Sequence, residues 1–162
     1  MKWRSRLTVM ALAGLCYRSS ATAGLLDSPP PVLGNGERGT VVFRMGAVHF
    51  EPGGWVDTTV TCTNLATTPA NLAIEVFDEN DRLAGDVTKA AVAAGAGLTF
   101  ATSSSANAAG ATIISGLPPI DHGKARVSAS TAQLTCVAVN RMRGSDGAIK
   151  EAPLELIKKV AY

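Results

Sequence analysis

Aromatic side chains supply only 5% of the chain, so any core must be built mainly from Val, Leu, Ile and Ala. Cysteine is rarer still, with Cys16, Cys62 and Cys136 the only three. There is no C-x-x-C pair and no close group of four Cys and His residues, which removes the usual dithiol redox and structural zinc patterns. No apolar run approaches the roughly 20 residues that a membrane-crossing helix requires. The sequence also lacks G-x-S-x-G and any N-x-S/T acceptor, and His49 and His122 are its only histidines. Charged residues are sparse at 17%, yet hydrophobic content is 46%, which favours a packed core over disorder.

What is present begins at the N-terminus. MKWRSR is basic, LTVMALAGLCY is apolar over about 11 residues, and RSSATA ends in an A-x-A site; this is the layout of a secretory signal peptide. Cleavage is expected between Ala23 and Gly24, leaving residues 1–23 as leader. Leu15 stands before Cys16 where a lipoprotein signal wants a small residue, so lipid attachment is not expected. Loss of the leader removes Lys2, Arg4, Arg6 and Arg18, leaving 11 basic residues against 13 acidic ones, a charge of −2. A mildly acidic domain with no basic cluster is a poor candidate for binding nucleic acid or an anionic membrane.

Residues 24–38, GLLDSPPPVLGNGER, carry three consecutive prolines and a GNG, which predict an extended linker. From Gly39 the pattern alternates with period two, the mark of half-buried strands. Thr40–Met45 and Ala47–Phe50 read as strands broken at Gly46. In VDTTVTCTN, Val56, Thr58, Val60 and Cys62 share an inner face, with Asp57, Thr59, Thr61 and Thr63 outward. NLAIEVFD places Leu72, Ile74 and Val76 inward, leaving Glu75 outward. LPPIDHG reads as a turn, and KARVSAS alternates Ala125, Val127 and Ala129 against Arg126 and Ser128. In QLTCVAVNRM, apolar residues on both faces suggest a central strand covered on two sides. The last segment, 154–160, would suit a strand or a short helix, and the preceding turn favours a strand. About nine strands with turns every 8–12 residues predict an antiparallel β-sandwich of Ig-like architecture over residues 39–162.

Cys62 and Cys136 each lie among inward apolar residues, 74 positions apart. In an oxidising compartment such a pair is expected to form a disulfide, and the spacing suits strands in facing sheets. Closing a loop of this length is worth roughly 4–5 kcal/mol in the chain-entropy model.

Other candidate sites are weaker. Asp78, Asn80 and Asp81, with Asp86, crowd DENDRLAGD, but Arg82 and Leu83 break the EF-hand spacing, and Asp and Asn serve turns on their own account. Asp121 and His122 are adjacent, and serines follow one another at 103–105, yet neighbours in sequence need not share a face. Trp55 is the one tryptophan beyond the leader and would cover a sheet edge or stack a sugar. Neither a cofactor nor a metal is expected from these residues.

The order VTCTNLATTPANLAIEVFDENDRLAG, then V-x-x-G-x-x-L-T-F, then KARVSAS and QLTCVAVNRM, resembles that of uncharacterised exported bacterial β-sandwich proteins. More faintly it resembles the sensory-rhodopsin-transducer-like sandwich family, which acts through protein contacts in the cytoplasm; the leader and cysteines here depart from it. An immunoglobulin domain would place Trp after its first Cys and Tyr two residues before its second, whereas NLAIEVFD has no Trp and position 134 is Leu. The expected function is that of a periplasmic or secreted, non-enzymatic binding module with a protein or envelope-surface partner. A loop-based hydrolase or carbohydrate-binding protein is the alternative.

Overall fold

The computed structural model describes residues 28–53, 55–103 and 110–158, and these are all-β. The expected leader and its Ala23–Gly24 junction lie outside the described residues. The described residues form ten strands: β1 (Thr40–Phe50), β2 (Val56–Asn64), β3 (Ala70–Phe77), β4 (Leu83–Val92), β5 (Gly97–Ala101), β6 (Thr112–Ile113), β7 (Ile120–Ala129), β8 (Leu134–Arg143), β9 (Ile149–Leu154) and β10 (Leu156–Lys158). They make one mixed, mostly antiparallel sheet that curls into a near-barrel, with β5 and β6 as its parallel pair.

Two runs of pairing compose it. One reads β4-β3-β7-β1-β10 and the other β9-β8-β2-β5-β6. They meet where β1 hands over to β2, through the single register pair Phe50–Asp57. They meet again at Glu155, where the chain leaves β9, paired with β8, for β10, paired with β1. As far as it is described, to Lys158, the terminal segment is therefore strand. Pro153, which cannot donate to a ladder, sits in β9, whose one partner strand among the described residues is β8.

The inward residues anticipated from alternation do build the core. Val60, Cys62, Leu72, Ile74, Val76, Val127 and Leu134 are buried in one cluster with Val42, Val48, Phe100 and Ile114. The break foreseen at Gly46 is an irregularity inside one continuous strand: the β1–β7 register slips between Met45 and Val48, and Ala47 takes a φ of 56°. β8 is covered on one face only, since Val137 is 64% exposed. An apolar residue on an outer face does not by itself show a second covering layer.

Cys62 and Cys136 are disulfide-bonded, but not across two layers. They are register partners on the adjacent antiparallel strands β2 and β8, with Cα atoms 4.1 Å apart, close to the spacing of directly opposed residues in a non-hydrogen-bonded pair. Distance along the chain does not distinguish a facing strand from a neighbouring one.

The segment before β1 is also not a free tether. Leu33 is buried, Gly39 N donates to Pro31 O, and Val32 bridges Arg38. This strap covers the outer face of β3 and β7, and so Glu75 and Arg126, expected outward, are buried. Arg126, only 1% exposed, holds Glu75 through Nε (2.6 Å) and Nη2 (2.9 Å). It also donates from Nη1 to Ser28 O (2.6 Å) and from Nη2 to Ser28 Oγ and Pro29 O (both 3.1 Å). Its guanidinium lies 5.3 Å from the Phe77 ring centre. A buried ion pair with its hydrogen bonds filled does not add much net stability, but deleting one partner strands the other charge.

Arg126→Met is therefore expected to cost about 3–5 kcal/mol, with much of the loss recovered when Glu75→Leu is added; paired urea unfolding curves check this. Cys62→Ala with Cys136→Ala should lower stability by about 2–5 kcal/mol relative to the oxidised protein. In the same denaturation experiment, reductant should destabilise the parent and leave the double variant unmoved.

Candidate functional site

The site lies at the corner where β1 leaves β7 for β2, and local hydrogen bonding sets it up. Strand pairing between β1 and β2 is minimal here, so side chains take over. Thr58 Oγ1 accepts from His49 N at 2.8 Å and donates to Asn140 Oδ1 at 2.6 Å, while Asn140 Nδ2 donates to Ala47 O at 2.8 Å. Thr102 Oγ1 accepts from Thr58 N at 2.8 Å and donates to His49 O at 3.1 Å. Both backbone polar groups of His49 are thus satisfied by buried hydroxyls, as an interrupted ladder requires.

Opposite His49, strand β7 carries a β-bulge. The register pairs Val48 with Gly123 and Phe50 with Ile120, so the single residue His49 faces two, Asp121 and His122. The bulge overrides the alternation that would send these neighbours to opposite faces. His122 Nδ1 lies 2.9 Å and His49 Nδ1 3.4 Å from the Asp121 carboxylate, and the two imidazole rings meet edge-on with centres 5.4 Å apart. Glycine is required next to the bulge: a Cβ at Gly123 would stand 2.5 Å from Ile120 Cγ2 and 2.6 Å from Phe77 O. Asp121 and His122, expected in a turn, are strand residues.

Beside this cluster is an open cleft of about 390 Å³ lined by His49, Phe50, Glu51, Val56, Glu79, Pro119, Ile120 and Asp121. Across Phe50 lies a second, shallow cleft of about 360 Å³ with Thr102, Ser103 and Ser115 among its walls. Phe50, Glu51 and Glu79 carried no sequence signal, because nothing in a linear pattern shows that the β3–β4 turn comes beside the end of β1.

The remaining candidates are placed elsewhere. Asp78 Oδ1 accepts from the backbone N of Asn80 (2.9 Å) and of Arg82 (2.8 Å), so it closes its own turn. Asp81, with a φ of 61°, pairs with Lys124. Among the described residues no three His, Cys, Asp or Glu side chains are arranged to hold a metal ion. Trp55 is half-exposed at the tip of the β1–β2 hairpin, where its carbonyl accepts from Arg143 N at 2.8 Å, and it lines neither cleft.

Asp57, expected outward, is 3% exposed and faces Arg141 across the β2–β8 ladder. Burial pushes its carboxyl above the ordinary range, more strongly than Arg141 and Arg143 pull it down, and its Oδ1 lacks a hydrogen-bond partner among the described residues. The native state therefore binds this proton more tightly than the unfolded chain, so stability falls as pH rises from the usual carboxylate range through the raised value. Asp57→Asn should abolish that fall. Relative to the parent it should be more stable at neutral pH and converge with it in acid, as thermal midpoints measured from pH 3 to pH 8 would reveal; parallel curves would refute the assignment.

Comparison of the chain with protein-family models, with curated proteins and with solved structures finds no match.

Proposed function

We propose that the protein is an exported, non-enzymatic binding module of the cell envelope, an Ig-like β-sandwich that takes its ligand or partner at the β1–β7 corner. The observation that carries this reading is the cleft beside Phe50, a preformed concavity in which apolar walls and a few polar groups converge, the usual make-up of a binding site. Export is supported by the Cys62–Cys136 bond, of a kind that persists in oxidising compartments. The sandwich reading is supported by the two runs of pairing and the core cluster that draws residues from both. Kinship with uncharacterised exported bacterial β-sandwich proteins belongs to the same proposal.

A loop-based hydrolase or carbohydrate-binding protein is the second reading, and one observation favours it. Asp121 lies 2.9 Å from His122 Nδ1, the relation by which a carboxylate orients an imidazole for general-base work. With both cysteines in a disulfide, no thiol is left among the described residues to serve as nucleophile.

A photo-crosslinking residue placed at position 50 in the full chain, expressed in a bacterial host, is expected to trap a discrete envelope component. The same residue at position 137, on the open face of β8, should not. Mass spectrometry of the recovered protein should show loss of the first 23 residues. An intact leader in the cytoplasmic fraction would refute export. Turnover of chromogenic esters or glycosides that His122→Ala abolishes would transfer the protein to the hydrolase reading.

A further inference from the structure

The charge of the corner cleft bears on the class of ligand it would take, an argument that rests on the binding reading above. Among the described residues three carboxylates line it, Glu51, Glu79 and Asp121, and no Lys or Arg does. Lys124, just beyond the bulge, is committed to Asp81. Asp121 is shared between two imidazoles, but the Glu51 and Glu79 carboxylates have no hydrogen-bond or ion-pair partner among the described residues. A concave surface of one sign with apolar walls focuses the field and concentrates counter-ions.

The walls narrow the choice of cation. A bare metal ion needs several converging ligand atoms, and no such set of three side chains is present among the described residues. The cleft offers instead the half-buried Phe50, with Val56, Pro119 and Ile120, surfaces that suit an aliphatic stem and an aromatic face that attracts a cation. Its volume of about 390 Å³ lies toward the small end of ligand sites, large enough for one side chain or a short amine. We propose that the cleft binds an organic cation, an ammonium or guanidinium group on an aliphatic stem. The stem lies along Phe50 and Ile120, and the charge is held by Glu51 and Glu79. A free amine and a Lys or Arg side chain of a partner protein share this chemistry.

Matched probes test it. The full chain is titrated with butylguanidine, with its neutral analogue butylurea and with acetyl-arginine amide, following the methyl resonances of Val56 and Ile120. Butylguanidine should bind saturably, weaken as salt is raised, and bind at least tenfold more weakly to the Glu51→Gln, Glu79→Gln double variant, whose thermal midpoint serves as the folding control. Comparable binding of acetyl-arginine amide points to a protein side chain as the natural occupant, and exclusive binding of the free guanidine points to a small molecule; both sustain the proposal. It is overturned if butylurea binds as well as butylguanidine, or if the folded double variant binds within twofold of the parent. It is also overturned if cations leave the cleft resonances unmoved. Should neutral or anionic oligosaccharides shift those resonances where cations do not, the cleft remains a binding site and only the cation assignment is lost.

Discussion

The structure turns on how backbone groups are satisfied where β1 stops pairing with β7 and the chain crosses to β2. An interrupted ladder leaves N–H and C=O groups without strand partners, and a buried one cannot be left so. Thr58, Thr102 and Asn140 fill these roles from three different strands or their ends, and their hydrogen bonds hold His49 from both sides of its peptide. The same atoms close the corner of the near-barrel and fix the histidine from which the candidate site is built.

Around that corner, departures from regular pairing do the positioning. The bulge in β7 costs one ladder position but turns Asp121 and His122 toward one residue of β1. The β3–β4 turn, closed by Asp78, brings Glu79 to the same cleft. Rigid strands thus carry the aromatic and histidine groups while a short turn contributes an acid, a division that keeps the site's shape close to that of the fold.

Elsewhere the molecule buries charge, and the two cases contrast. Arg126 and Glu75 are taken from water together, with the strap's carbonyls and the Ser28 hydroxyl filling the remaining donors, so burial is compensated atom by atom. Asp57 is only partly compensated, by two arginines whose attraction does not outweigh its desolvation. The first arrangement ties the segment before β1 to the sheet. The second makes folding sensitive to pH.

By itself the sequence determined the strand-rich class, the inward residues of most strands and the cysteine pair, because alternation with period two reports which side of a pleat meets the core; at the C-terminal end it left strand and helix both open. It also marked Asp121 and His122. Tertiary structure alone decided that the cysteines sit on neighbouring strands, that the proline-rich strap covers β3 and β7, and that Glu75, Asp57 and Arg126 are buried. It likewise brought His49, Phe50, Glu51 and Glu79 to one cleft. Period two shows that two faces differ but not what covers the outer one, and a bulge shifts that period without leaving a mark in residue type. Those outcomes depend on contacts between segments as many as 98 residues apart, which local patterning does not encode.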